Sequence, residues 1–383
     1  LVPLSVLNQA RRLLLEKLTA LRLAEQRAAA PAPEVFFQRK QNLEGWLEQA
    51  LLTRELSRYG DLPLADPPRP AETSRPRLSV AVGSLEAARQ AIEHGADQVY
   101  LPDISWRPGG EAGAASAPGD RAWEETMAAA QRKNSRLVYS LTRIWTQNQA
   151  EAVVAALETA LCRSGDGICG ILAPSLGGLQ LALAYPQWPV YADYPLNVFN
   201  QWTLAALCEL GVEQTALSLE LNLKQLQQFP EAARCRAEVV IHGSLPVMVS
   251  EHCLLGAAVG SRTREAACTA PCTRGRYILR DRLGMAFPVK TDRFCRLHLF
   301  NSRTLDLLDH LGSITSLGTR SLRLELRCHA ADYVGRAVET YRRELDRASA
   351  LRSAYAPLEQ SREAIRRLTN GEETRGHFFR GVE

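Results

Sequence analysis

Cys253, Cys268, Cys272 and Cys295 follow one another with fourteen, three and twenty-two residues between them. Thiolates are soft metal ligands. A four-thiolate site needs ligands from loops that can converge, and here Cys268 and Cys272 lie one short turn apart around Ala270-Pro271. Free cysteine is also common core material, but this stretch is rich in arginine and poor in helical or strand periodicity, so packing alone is a weak reason for four thiols. Zinc sites favour pairs two residues apart, often twice over. The single three-residue spacing in an irregular framework suits an iron-sulfur cluster better, with zinc as the alternative. Cys162, Cys169, Cys208, Cys235 and Cys328 fall in or beside helix and strand patterns and read as structural.

The same stretch is basic. From Cys253 to Arg303 there are ten Lys or Arg against three acids, a local charge of +7 in a chain whose formal net charge is +4. Arginines there can lower the cost of an anionic cluster or hold an anionic partner; a solvated face is the plainer alternative. Other motifs count for less. Gly165-Asp166-Gly167-Ile168-Cys169-Gly170 has the letters of a dinucleotide fingerprint, but a helix pattern precedes it and a strand follows, the reverse of the required order. It reads as the turn into a strand. For proteolysis, neither a His-Glu-x-x-His motif nor a Gly-x-Ser-x-Gly elbow is present. A Cys-His dyad could be built from Cys253 with His242 or His252, although a metal-bound thiolate is no free nucleophile.

The elements that must position these residues read as alternating strands and helices. With 46% hydrophobic and 23% charged residues over 383 positions, the chain can bury a large α/β core. Strands are expected at Leu78-Val82, Gln98-Leu101, Arg136-Leu141, Ile168-Ala173, Pro189-Tyr194, Gln214-Leu219, Ala237-His242 and Ser321-Leu326. Helix-length amphipathic segments lie between most of them, as at Ser84-Glu93, Glu124-Lys133, Gln149-Cys162 and Trp202-Leu210. Eight such units argue for a closed TIM-like (β/α)8 barrel over an open sheet, with a flavodoxin-like layout as the alternative. The barrel is expected over 78–345, with a Cys-rich insertion at 249–303 before the last strand. Residues 1–59 read as the helical end of a preceding domain, with a second amphipathic run at Leu43-Leu56. Residues 60–77 read as a Pro-rich linker, 102–119 as a mobile Gly/Ala-rich loop, and 346–383 as a tail lying across the barrel. No apolar stretch is long enough for a membrane span and no signal pattern opens the chain, so a cytoplasmic protein is expected.

Several runs carry a family likeness. Ile241-His242-Gly243-Ser244-Leu245-Pro246-Val247-Met248, Glu251-His252-Cys253 and Cys268-Thr269-Ala270-Pro271-Cys272 resemble the signature region of the collagenase-like peptidase family U32. Leu279-Arg280-Asp281-Arg282-Leu283-Gly284, Cys295, Phe300-Asn301-Ser302, Leu324-Glu325-Leu326-Arg327 and Asp332-Tyr333-Val334 continue it in order. Upstream, Gly83-Ser84-Leu85-Glu86-Ala87 and Leu196-Asn197-Val198-Phe199-Asn200 also look like that family. The chain departs from the pattern in having Glu251-His252 before the first cysteine and Glu325-Leu326-Arg327 near the last strand.

The resemblance implies a barrel with a 4Fe-4S cluster on Cys253, Cys268, Cys272 and Cys295. It also implies oxygen-independent hydroxylation of RNA pyrimidines with prephenate implicated, or of ubiquinone precursors. The opening Pro3-Leu4-Ser5-Val6-Leu7-Asn8 resembles the segment that separates two repeats in long members, so an N-terminal portion of the same polypeptide is an expected partner. The leading expectation is an RNA-hydroxylase-type iron-sulfur protein; a peptidase and a non-catalytic structural repeat are the alternatives. The expected substrate-binding residues are Arg274, Arg276 and Arg282 for phosphate or carboxylate groups, with Asn197, Glu325 and Arg327. RNA and a prephenate-like dicarboxylate are the expected ligands. Asp193 and Glu220 are polar groups near strand ends, and no general acid or base is assigned.

Overall fold

The computed structural model describes residues 4–26, 38, 41, 75–105, 120–263 and 266–380. Leu43-Leu56, residues 60–74 of the Pro-rich segment and 106–119 of the Gly/Ala-rich loop lie outside the described residues. The chain divides into two units, Leu1–Pro63 and Leu64–Glu383. In the first, helix α1 spans Leu4–Gln26, and its Leu14, Leu18 and Leu21 are exposed.

In the second unit, strands β1 (Arg77–Val82), β2 (Gln98–Leu101), β3 (Arg136–Ser140), β4 (Ile168–Ala173), β5 (Val190–Ala192), β6 (Val212–Ala216) and β7 (Ala237–Gly243) pair in parallel and in sequence order. The eighth barrel strand comes only after the insertion, whose four strands are β8 (Pro246–Ser250), β9 (Tyr277–Arg280), β10 (Ala286–Thr291) and β11 (Leu297–Phe300). Then follow β12 (Thr304–Asp306), β13 (Ser321–Leu326) and β14 (Glu373–Thr374). Strand β13 pairs in parallel with both β1 and β7, which closes an eight-stranded barrel and excludes the open flavodoxin-like layout. Strands β5 and β6 are displaced by a few residues from the expected Pro189-Tyr194 and Gln214-Leu219, because apolar runs continue into the turns beyond the hydrogen-bonded ladder.

Outside the barrel run α2 (Leu85–Glu93), α3 (Asp120–Lys133), α4 (Ala150–Ser164), α5 (Leu176–Leu183), α6 (Gln201–Glu209), α7 (Leu223–Gln228) and α8 (Glu231–Arg234). Helix α9 (Leu254–Ala258) belongs to the insertion, and α10 (Leu311–Thr315), α11 (Ala331–Leu351) and α12 (Glu359–Thr369) follow it. The strand-to-helix turns carry their own start signals. Ser84, Ser175 and Asn200 accept N–H bonds from Ala87, Gly178 and Thr203 through their side-chain oxygens, so the first two helices begin two residues past their strands and the third after the turn that follows β5.

Ala81, Tyr100, Val138, Leu172 and Tyr191 pack as one cluster on the barrel interior. Beside it the interior is polar. Ser321 Oγ and Gln214 Nε2 donate to Glu238 at 2.8 and 3.1 Å, Tyr100 Oη donates to the same carboxylate at 3.0 Å, and Arg323 lies against it at 3.3 Å. Charges so placed are stable only as a paired set.

The chain also makes a close backbone approach where β7 meets β13. Gly243 has φ +132°, and a Cβ there would fall 2.0 Å from the Glu325 carbonyl oxygen. Gly243→Ala is therefore expected to lower unfolding stability by at least ~2 kcal/mol, from forbidden backbone space plus overpacking. A urea midpoint unchanged from the wild type would refute this.

The insertion differs from its sequence-level reading. Instead of irregular loops it holds an antiparallel sheet in the order β8-β11-β10-β9. Its strands escape notice because their faces are half exposed: Ile278, Leu279, Val247 and Met248 all reach solvent, which blurs the apolar alternation.

Candidate functional site at the barrel mouth

The sheet order places the cysteines. In an antiparallel sheet, the C-terminal ends of β8 and β10 and the N-terminal ends of β9 and β11 lie on the same side. Cys253 follows β8, Cys268 and Cys272 precede β9, and Cys295 sits in the turn from β10 to β11. All four therefore leave the sheet at one end.

Two of them accept backbone N–H bonds. Cys253 caps α9, its Sγ accepting the Gly256 N–H at 3.3 Å, and Cys268 Sγ accepts the Ala270 N–H at 3.4 Å. Two glycines keep the space around these sulfurs open. A Cβ on Gly256 would sit 3.5 Å from Cys268 Sγ and 3.7 Å from Cys253 Sγ, and one on Gly260 would fall 2.5 Å from Cys268 Sγ. Cys272 lies half-buried in the turn Pro271–Thr273, and Cys295 is exposed with φ +62°. Among the described residues, no three His, Cys, Asp or Glu side chains gather closely enough to hold a single ion.

A buried arginine ties the segments together. Arg296 pairs with Glu251, two residues before Cys253, and its Nη2 donates to Gln149 at 2.9 Å beyond β3. Its backbone N–H reaches Asp292 Oδ1 at 2.9 Å, closing the turn that carries Cys295. Arg293 N donates to the Ser105 carbonyl at 2.9 Å beyond β2, and Lys290 Nζ reaches the Cys328 carbonyl beyond β13. The sheet thus starts at the C-terminal end of β7 and touches the loops after β2, β3 and β13. It lies across the C-terminal mouth, the face that carries chemistry in such barrels.

Beneath it, Asp193, Glu325, Arg323 and Arg327 form one buried set. Arg323 contacts Asp193 at 2.6 Å and Glu325 at 3.0 Å; Arg327 contacts Asp193 at 3.1 Å and Glu325 at 3.0 Å. The two carboxylates are pushed apart in acidity. Burial raises Glu325 despite both arginines, whereas for Asp193 the same burial is outweighed by Arg323 and Arg327, which hold it below the usual range. Two carboxylates that share the same arginines yet are shifted in opposite directions are the kind of pair that can divide acid and base roles. Asp103, buried beyond β2 and also raised by burial, accepts bonds from Ser105 N at 2.6 Å and Thr142 Oγ1 at 3.2 Å.

Of the residues expected to bind substrate, Glu325 and Arg327 are in this set. Asn197 is exposed on the loop after β5, with its Oδ1 accepting from Ser218 Oγ at 2.7 Å. Arg274, Arg276 and Arg282 are exposed on the insertion, and Arg274 Nη2 donates to the Thr269 carbonyl at 2.8 Å, bracing the loop between Cys268 and Cys272. Glu220 is exposed beyond β6. His242 is enclosed by Tyr333, Tyr341 and Asp306, and His252 is exposed. Sequence reasoning missed Glu238, Arg323 and Asp103. The alternation Arg323, Glu325, Arg327 in an otherwise apolar strand was the available signal.

At the β7-β13 rim, Ser244 Oγ and His329 Nε2 are 3.0 Å apart, and the His329 ring stacks on Tyr333 at 3.9 Å. Burial first, then His242 and Lys290, push His329 down to about 3. A histidine depressed in the fold takes up its proton only in the unfolded chain, so stability is lost as pH falls below the unfolded value near 6.5 and continues to fall toward 3. Between pH 6 and 4, His329→Gln is expected to remove up to ~1.4 kcal/mol per pH unit from the slope of unfolding free energy. Parallel wild-type and variant slopes in urea titrations would contradict this.

Comparison with known proteins places the chain in context. The model of the family described as Peptidase family U32 matches residues 83–383. The chain is 28% identical over 260 residues to a 23S rRNA 5-hydroxycytidine synthase of Escherichia coli, an alignment covering 68% of this chain and 37% of that protein. It is 26% identical to an uncharacterized protease of Methanocaldococcus jannaschii, covering 78% and 72%. It is 24% identical to a tRNA hydroxylation protein of Bacillus subtilis, covering 72% and 64%. The match thus spans little more than a third of the first of these relatives. Among solved structures, a U32 peptidase aligns with a TM-score of 0.32 at 12% identity, covering 47% of this chain and 74% of that one. No described helix is long and apolar enough to cross a membrane.

Proposed function

The chain belongs to peptidase family U32, and on that footing we propose that it is an iron-sulfur protein acting in oxygen-independent hydroxylation of a pyrimidine base in RNA. One observation carries the reading: four cysteines leave one end of a sheet that lies across the barrel mouth, over the buried Asp193-Glu325-Arg323-Arg327 set. Relatives named for rRNA and tRNA hydroxylation support the reaction class.

Cys253, Cys268, Cys272 and Cys295 would hold a 4Fe-4S cluster; each iron takes one thiolate, which suits sulfurs arriving on three separate segments. When bound, such a cluster supplies one-electron redox or Lewis-acid chemistry. The chain's own groups do the rest. Arg327, at the outer edge of the set, presents the guanidinium chemistry that a dicarboxylate such as prephenate would meet, with the enclosed Arg323 bracing the carboxylates beside it. Glu325, with its raised affinity for a proton, moves protons at the mouth while Asp193 stays ionised and holds both arginines in place. The exposed Arg274, Arg276, Arg280 and Arg282 suit RNA phosphates, whose contacts provide sequence-independent, salt-dependent affinity.

A peptidase reading draws on the Ser244-His329 pair, which has the spacing of a nucleophile and its base. The depressed His329 weighs against it, since a base that protonates only near 3 takes protons poorly at neutral pH. The test is mass spectrometry of nucleosides from digested RNA, comparing host cells with and without the gene. A pyrimidine nucleoside heavier by one oxygen should disappear on deletion and return with the wild-type gene but not with Cys268→Ser. An unchanged nucleoside profile, or gelatin cleavage by cluster-free protein, would sink the hydroxylase reading.

A further inference from the structure

We propose that the N-terminal end of the barrel, opposite the mouth, holds a binding site for a small phosphate-type dianion formed by Arg77, Arg136 and Arg320. These arginines stand at the start of β1, at the start of β3 and directly before β13, and barrel closure brings them together. The set contains one carboxylate, Glu213, which Arg320 engages directly and Arg136 approaches at 4.0 Å. Among the described residues, three guanidiniums therefore meet one directly engaged carboxylate.

The other acidic groups nearby do not balance them. Asp97 is occupied by Arg75 at 3.2 Å, Arg342 at 2.8 Å and the Leu78 N–H at 2.7 Å. Burial raises the Cys169 thiol, which donates to the Leu137 carbonyl at 3.1 Å and stays neutral. Burial also raises Tyr191, whose oxygen accepts from Arg136 at 2.6 Å, to about 12; its O–H remains a donor.

Arg77 is the informative member. Among the described residues its guanidinium makes no hydrogen bond or ion pair, and its Nη1 is buried, as is the Nε of Arg136, without an acceptor. Burial together with Arg136 and Arg320 lowers its affinity for its own proton, the mark of a cation held among cations. Arginine forks match tetrahedral oxyanions in both charge and geometry. A dianion between them would supply the missing acceptors and relieve the repulsion. All three arginines and Glu213 remain half-buried and not sealed, so a small ligand can enter from solvent.

The experiment is thermal unfolding and calorimetric titration of the full chain with inorganic phosphate, against chloride at matched ionic strength to separate binding from screening. Phosphate should stabilise saturably and chloride should not. Arg77→Gln and Arg136→Gln should each weaken binding by about tenfold or more, the loss of one charge-assisted contact. Glu213→Gln should tighten it, since the carboxylate that Arg320 and Arg136 share is gone; a merely structural role for Glu213 would not produce that sign. A nucleoside 5′-monophosphate serves as a second ligand: tighter binding than phosphate identifies a nucleotide, and equal binding a free oxyanion. Equal effects of phosphate and chloride, or wild-type affinity in Arg77→Gln, would overturn the site. Should Arg77→Gln fail to fold, Arg136→Gln and the sign of Glu213→Gln decide.

Discussion

Protein carrying Cys268→Ser together with Cys272→Ser is expected to purify anaerobically without iron or acid-labile sulfide, whereas the wild type should hold ~4 of each per chain. The reasoning is geometric. Cys268 lies in the space that Gly256 and Gly260 leave open, beside Cys253. Cys272 follows by one turn, braced by Arg274 on the Thr269 carbonyl. Serine keeps the size but is a far poorer ligand for iron, so two corners of the proposed cluster would be lost at once. Visible absorption near the cluster bands should vanish while the barrel's far-ultraviolet dichroism survives, because no cysteine of this set belongs to a barrel strand. Zinc in the wild type, with no sulfide, would defeat the cluster assignment and with it the redox reading. Iron retained in the double variant would show that other ligands hold it.

Arg323→Met is expected to destabilise the barrel by ~3–5 kcal/mol, the usual consequence of removing one partner from a buried ionic set. Arg323 is 0% exposed and faces Asp193, Glu238 and Glu325 at 2.6, 3.3 and 3.0 Å, with its guanidinium 4.6 Å over the Tyr100 ring. After the change, Arg327 still serves Asp193 and Glu325, but Glu238 is left with neutral donors only. Against a total stability of about 5–15 kcal/mol for a folded domain, that loss is large. Adding Glu238→Gln should restore a substantial part, since a neutral amide can still accept from Tyr100, Ser79 and Ser321. A double-mutant cycle in urea reads the coupling directly. Additive effects of the two changes would mean that Arg323 and Glu238 do not interact as the distances state.

Much of the barrel was legible because parallel strands buried on both faces read as continuous apolar runs. Gln98–Leu101 and Ile168–Ala173 are expected at those bounds from such runs, and Ser321–Leu326 from its strict alternation of leucines with polar residues. The insertion sheet was not legible, since strands such as Tyr277–Arg280 expose one face and alternate weakly. The mouth was legible only in part. Glu325 and Arg327 fall within the family likeness, but Asp193 reads only as a polar residue near a strand end, and only the alternation with Glu325 marks Arg323.

What the sequence determines by itself is local: which runs become strands, where Ser84, Ser175 and Asn200 start helices, and that four cysteines crowd a basic stretch. These follow from near-neighbour periodicity and capping. What only the tertiary structure decides is which distant residues meet. Asp193 meets Arg323 across 130 positions, Arg77 joins Arg136 and Arg320, and the cysteines leave one end of a sheet. The physical reason is that barrel closure and antiparallel register set these encounters, and both depend on hydrogen bonding between segments far apart in the chain, which near-neighbour patterns do not encode.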